Sequence, residues 1–272
     1  MYEPIGAFLH HSDWSWLTVG DGRFGLDSIR IRRLGVGSVL PTDIGEGLLK
    51  VALDDNLISD YKLENAEKLT FEDNTFDIAF CKESYHHFPR PFIALSEMLR
   101  VCRHAVVLIE PRDYVIDRPP FRVVGPIGLL KGLLSWATNR LGLNGKSIPP
   151  CVRFQLGDRP HYEDSGNYMY AISSREMEKF ALGINRPAVA FKGLNDCYLP
   201  DGATALATDD SPVFRLMKDN IAKADRISAK GIASTSMLMV ILFKQSPDAR
   251  TREYLEAQEW LVKDLPRNPH LK

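Results

Sequence analysis

Four side chains able to do acid–base chemistry crowd one short stretch of this chain: Lys82, Glu83, His86 and His87. An imidazole titrates near neutrality, so either histidine could take a proton from an attacking group, and a nearby carboxylate could orient the ring. The expected base is therefore His86 or His87 with Glu83 in support; the bland alternative is a pair that only shapes a loop. Metal binding by this trio is not expected, because adjacent histidines do not readily face one ion and no further acidic motif stands beside them. His10 and His11, ahead of the first predicted strand, read as exposed residues without a role. Cys81, Cys102, Cys151 and Cys197 have no CxxC spacing and read as reduced thiols, so neither a metal centre nor a redox motif is predicted.

The sharpest spacing signal lies earlier, in WLTVGDGRFG, where Gly20, Gly22 and Gly25 satisfy G-x-G-x-x-G directly after an apolar strand. Such glycines allow a tight turn and let a ligand approach backbone N–H groups at a helix N-terminus. About 20 residues on, where this fingerprint wants an acid, Asp43 closes the second strand in VLPTDI. A carboxylate there can accept hydrogen bonds from vicinal ribose hydroxyls, so the pair predicts an adenosine-containing cofactor without saying which. The alternative is a plain turn with Asp43 capping the next helix. Dehydrogenases that use Tyr-x-x-x-Lys are disfavoured, since no tyrosine here is followed four places later by lysine.

These residues need a scaffold that brings strand ends together. Short apolar runs at Trp16–Val19, Val39–Asp43, Phe76–Cys81 and Ala105–Glu110 alternate with helical patterns at Gly22–Leu34 and Phe92–Val101. That alternation predicts an α/β fold with a doubly wound, Rossmann-like parallel sheet. In such folds ligands bind beyond the carboxyl ends of the strands, which is where Lys82, Glu83, His86 and His87 fall. Patterning resumes downstream with a helix at Ser174–Leu182, a strand near Val189–Leu194 and a strong apolar strand at Met237–Phe243.

The stretches Glu64-Asn65-Ala66-Glu67, Leu69-Thr70-Phe71, Asp73-Asn74-Thr75-Phe76-Asp77 and Ser84-Tyr85-His86-His87-Phe88, in that order after the glycine loop, resemble the class I S-adenosylmethionine-dependent methyltransferases of the type 11 group. The resemblance spans Trp16 to Pro111. It implies a seven-stranded sheet whose last strand, Met237–Phe243, is antiparallel, with an inserted substrate lid after the fifth strand. It also implies S-adenosyl-L-methionine as cofactor, held by Gly20, Asp21, Gly22, Arg23, Phe24 and Gly25 along its methionine part and by Asp43 and Ile44 at the ribose. Asn65, Ala66 and Glu67 would meet the adenine, and Lys82 completes the set. Two positions depart from the family: Thr18 stands where an acid is usual two residues before the first glycine, and Asn65 stands where Asp is usual.

Composition narrows the acceptor. The chain has 272 residues, and its 34 basic and 35 acidic residues nearly cancel, so no global field draws it to nucleic acid. No apolar run approaches the roughly 20 residues a membrane helix needs, and the chain reads as cytoplasmic. Seven of its 17 prolines fall between Pro111 and Pro160, which marks that stretch as an insertion. From Arg118 to Gly157 there is no acid, whereas Arg118, Arg122, Lys131, Arg140, Lys146 and Arg153 are cationic, and Ile127–Leu141 can form an amphipathic helix. The expected organisation is a cofactor-binding half (1–113), a lid (114–172), the remainder of the core (173–246) and a C-terminal helix and tail (247–272). The expected reaction is O-methylation of a small-molecule or glycan acceptor, anionic or sugar-like, with peripheral membrane contact allowed. The rivals are an NAD(P)-linked oxidoreductase and a noncatalytic cofactor-binding subunit.

Overall fold

The computed structural model describes residues 1–113, 117, 162, 168–199, 201–202, 205–208 and 210–270. One compact unit comprises Met1–Asp113, Pro160–Gly193 and Met237–Lys272; a second comprises Tyr114–Arg159 and Leu194–Ser236. The expected helix at Ile127–Leu141 and the six cations from Arg118 to Arg153 lie outside the described residues.

The predicted alternation folds as α1 (Glu3–Gly6), β1 (Ser15–Val19), α2 (Leu26–Arg33), β2 (Ser38–Asp43), α3 (Gly47–Asp54), β3 (Lys62–Leu63), β4 (Phe76–Lys82), α4 (Pro91–Val101) and β5 (Cys102–Pro111). Then come α5 (Ser174–Gly183), β6 (Ala188–Leu194), α6 (Pro212–Ala229), β7 (Met237–Phe243), α7 (Ala249–Ala257) and β8 (Leu261–Asp264). The strands form one sheet in the order β3-β2-β1-β4-β5-β7-β6-β8. Sequence neighbours β3 and β4 stand on opposite sides of β1 and β2, so the strand order reverses beside β1, the place where such sheets open a crevice.

Register follows the apolar runs. Trp16, Leu17 and Thr18 pair in parallel with Ile78, Ala79 and Phe80, and Ala79–Lys82 pair with Val106–Ile109. These strands are buried on both faces and therefore read as continuous apolar runs. β7, with all seven residues buried, lies antiparallel to β5 from Ala105↔Phe243 to Pro111↔Met237. Pro41 is tolerated within β2 because β3 pairs only with Thr42 and Asp43, leaving the earlier part of β2 as an edge. α4 starts with proline in its first turn and buries Ala94, Leu95, Met98 and Leu99, positions one helical turn apart, against β4 and β5.

The count of seven strands needs correction. An eighth, β8, pairs antiparallel with β6 from Ala188↔Asp264 to Phe191↔Leu261, in the segment read as helix and tail. β8 is a short edge strand with no buried residue, so it has no apolar run to announce it. α6 has no counterpart among the expected elements, although Val213, Phe214, Met217, Ile221 and Ala224 recur at helical spacing along a half-buried face. Among the described residues no helix is long and apolar enough to cross a membrane.

Candidate cofactor and acceptor site

The loops after β1, β2 and β4 are stitched together at the carboxyl edge of the sheet. Gly20 and Asp21 donate backbone N–H groups to Thr42 O at 3.0 and 2.9 Å, which seats the glycine loop on the end of β2. Gly22 N then donates to Asp43 Oδ2 at 2.9 Å, and Gly45 N to Asp43 Oδ1 at 2.8 Å. Both carboxylate oxygens are thus oriented by one backbone donor each and keep lone pairs for further donors. Ser84 Oγ, from the loop after β4, donates to Gly20 O at 2.6 Å. Gly20 (φ +76°) and Gly25 (φ +63°) supply the left-handed conformations that turn the chain from β1 into α2. Phe24 shares that conformation (φ +61°) and leans on the small cluster of Leu49, Ala52 and Ile58. Arg23 is exposed.

The missing family acid at Thr18 has a counterpart in space. Thr18 Oγ1 donates at 2.9 Å to Asp21, whose carboxylate also accepts from Asp27 N at 3.0 Å and Ser28 N at 2.9 Å. A carboxylate therefore still ties the glycine loop to the start of α2, where the helix dipole favours negative charge. Burial, and then the neighbouring Asp27 carboxylate, push the Asp21 carboxyl up from its ordinary 3.8 to about 7. The folded state thus holds a proton that the unfolded chain releases near pH 4, so stability is expected to fall as pH rises from about 4 to about 7. Asp21→Asn should remove most of that slope, a difference of up to about 4 kcal/mol across the window. Denaturant titrations of both proteins at pH 4.5, 6 and 7.5 test this; parallel slopes would show that Asp21 is ionised throughout.

The predicted base does find a carboxylate, but not the expected one. His86 Nδ1 lies 2.6 Å from Glu110 Oε2, at the end of β5, and both groups are buried. The other oxygen of Glu110 accepts from Ser84 N and Tyr85 N, each at 3.0 Å. Glu83, expected in support, instead pairs with Lys82 and takes a left-handed backbone (φ +51°). The reason is topological: β4 and β5 are paired neighbours, so the acid ending β5 faces the loop leaving β4. The signal available in sequence was an acid closing an otherwise apolar strand. His87 is exposed, its ring tilted against His86 at 4.0 Å. Cys81, buried beside Glu110, is held well above the usual thiol range by desolvation and then by that carboxylate, which suits an inert core thiol.

The remaining predicted residues flank this core. Asn65 is exposed, and its Oδ1 accepts from Glu67 N at 2.9 Å; Ala66 beside it is buried. The Glu67 carboxylate accepts from Arg90 N and Nε at 2.7 and 2.8 Å, binding this loop to the start of α4. Ile44, next to Asp43, is 77% exposed, an apolar side chain left uncovered at the sheet edge. Lys82 Nζ, besides its pairing with Glu83, lies 4.0 Å from Asp27.

Residues 17–109 match the methyltransferase domain family. Two relatives, from Paraburkholderia xenovorans and Paraburkholderia phytofirmans, both named ubiquinone/menaquinone biosynthesis C-methyltransferase UbiE, are 34% and 33% identical over 104 residues. Each match covers 34% of this chain and 43% of the relative, so the chain spans less than half the length of either. A chain from the complex between the Haloferax volcanii Trm112 methyltransferase activator and a methyltransferase aligns with a TM-score of 0.50 at 11% identity, over 90% of this chain and 92% of that one. That is a likeness of fold.

Proposed function

We propose, from the match of residues 17–109 to the methyltransferase domain family, that this chain is a class I S-adenosylmethionine-dependent methyltransferase of the type 11 group and transfers a methyl group to a small-molecule or glycan acceptor. The observation that carries the reading is the Asp43 carboxylate, fixed by Gly22 N and Gly45 N at the end of β2 with acceptor capacity left for a ribose diol. The donor set fits the cofactor's adenosine. Uncovered Ile44 offers an apolar face to a base, and Asn65 and Ala66 stand beside it in the next loop. The bound cofactor supplies an electrophilic methyl. The chain's own part is to align the acceptor, exclude water and, for a hydroxyl acceptor, remove its proton. His86 is the base, with Glu110 at Nδ1 fixing the tautomer whose basic lone pair is on Nε2. The names of the matched relatives support a second reading, methylation at an activated carbon, which would call on the same base.

Asp43→Ala removes charge-assisted hydrogen bonds worth about 1.5 to 3 kcal/mol, so cofactor affinity should fall about tenfold to hundredfold with the fold intact. Titration calorimetry with S-adenosylhomocysteine, backed by circular dichroism, reads this; an unchanged dissociation constant would remove Asp43 from the ribose. Calorimetry with NADH and NADPH in the same series separates the oxidoreductase, and binding of nicotinamide cofactors alone would overturn the reading. A broad acceptor screen that finds no methyl transfer despite cofactor binding would favour a noncatalytic subunit.

For the acceptor we propose an anion. The support is the run from Arg118 to Gly157, which has cations and no acid. Arg122→Gln, Arg140→Gln or Arg153→Gln should raise the Michaelis constant for such an acceptor, and added salt should do the same, because screening limits exposed charges to about 8 Å at physiological ionic strength. Indifference to salt and to all three substitutions would favour a neutral acceptor.

A further inference from the structure

His10 and His11, which carried no expected role, meet an acid from the far end of the chain. His10 Nε2 lies 3.2 Å and His11 Nε2 3.0 Å from the same oxygen, Oδ2 of Asp248. The three potential ligand atoms all fall within 4.8 Å of one another. The objection that adjacent histidines do not face one ion fails here, because both rings already converge on one atom.

The groups are held from behind. The chain leaving α1 turns through His11 N→Phe8 O and Trp14 N→His11 O at 2.9 and 3.1 Å, anchored by buried Phe8 and Trp16. The His11 ring stacks on Trp14 at 3.9 Å, and Trp14 stacks on His104 at 4.0 Å. Asp248 is the N-cap of α7: its Oδ1 accepts from Thr251 N at 2.8 Å and its Oδ2 from Thr251 Oγ1 at 3.1 Å, and Thr251 is buried. Trp14 directly precedes β1 and His104 lies near the start of β5, so the cluster sits at the amino edge of the sheet, opposite the glycine loop and His86.

Two imidazole nitrogens and one carboxylate oxygen suit a borderline transition metal rather than magnesium or calcium, which prefer all-oxygen shells. Around a tetrahedral ion with bonds of about 2.0 to 2.1 Å, neighbouring ligand atoms stand about 3.3 Å apart. The two nitrogen–oxygen separations need to open by only a few tenths of an ångström to match. We propose that His10, His11 and Asp248 form a site for a divalent metal of the zinc class, with water completing the shell, that fastens the N-terminal segment to the start of α7. Each imidazole then binds through Nε2 with its proton on Nδ1.

The test uses the full chain, free of any histidine tag and stripped with chelator. Calorimetry with Zn2+ should give one equivalent at micromolar affinity or better, and His10→Gln, His11→Gln and Asp248→Asn should each weaken it at least tenfold. Asp248→Asn is the most informative, because asparagine keeps a capping oxygen for Thr251 N. Co2+ added to the unsubstituted chain should give the intense visible absorption of a tetrahedral ion, and Trp14 emission should change with the same stoichiometry. Absence of saturable Zn2+ binding, undiminished binding in all three variants, or only the weak absorption of octahedral Co2+ would overturn the proposal.

Discussion

Gly22→Val is expected to abolish binding of S-adenosylhomocysteine, a loss of a hundredfold or more, while the chain still folds. A Cβ at Gly22 would stand 2.5 Å from Asp43 Cγ and 2.6 and 2.8 Å from its two oxygens, closer than such contacts come. The carboxylate cannot swing aside cheaply, since Gly22 N and Gly45 N hold its two oxygens. A branched side chain therefore drives the proposed ribose acceptor out of place and also fills the approach to the loop, so it should cost more than removing the Asp43 carboxylate alone. Backbone strain is not the cause, because Gly22 does not take the left-handed conformation that Gly20 and Gly25 do. Gly47→Ala is the matched control, since its Cβ meets nothing within 4 Å. Calorimetry with S-adenosylhomocysteine on both variants, together with thermal melts, separates the cases. Retained affinity in Gly22→Val would reduce the glycine loop to a turn.

The second large effect is expected at His86. If the acceptor is a hydroxyl, His86→Gln should lower turnover about a hundredfold or more with cofactor affinity nearly unchanged, as loss of a general base does. His87→Gln, at an exposed position, should change turnover little. Glu110→Gln should also lower turnover and alter the pH dependence of kcat, because it weakens the bond that sets the His86 tautomer. A purely structural Glu110 would change stability and leave that profile where it was. Small, equal effects at His86 and His87 would refute the base assignment and favour an acceptor that needs no deprotonation. Once an acceptor is in hand, steady-state kinetics over pH 5.5 to 9 supply all of these quantities.

Much of the scaffold was legible because its signals are local. The strands at the centre of the sheet are buried on both faces, so β4, β5 and β7 stand out as apolar runs, and Met237–Phe243 is bounded in the structure as its run of apolar residues implies. The glycine loop and Asp43 were legible as a spacing, since turning from β1 into α2 requires left-handed positions that glycine takes without strain. Elements without a buried stripe were not legible. β8, a short edge strand with no buried residue, leaves no period in the sequence.

What only the tertiary structure decided is which charged groups share a space. Sequence proximity suggested Glu83 for His86; parallel pairing of β4 with β5 brought Glu110 instead. The acid missing at Thr18 is made good by Asp21, because the turn after β1 folds that carboxylate back onto Thr18 and over the first N–H groups of α2. His10 and His11 acquired a partner only when α7 placed Asp248 beside them. By itself the sequence determined where backbone conformation and hydrophobic burial must lie, since both follow from residues close together in the chain. The meeting of charges across many residues depends on strand order, which is settled only when the whole sheet assembles.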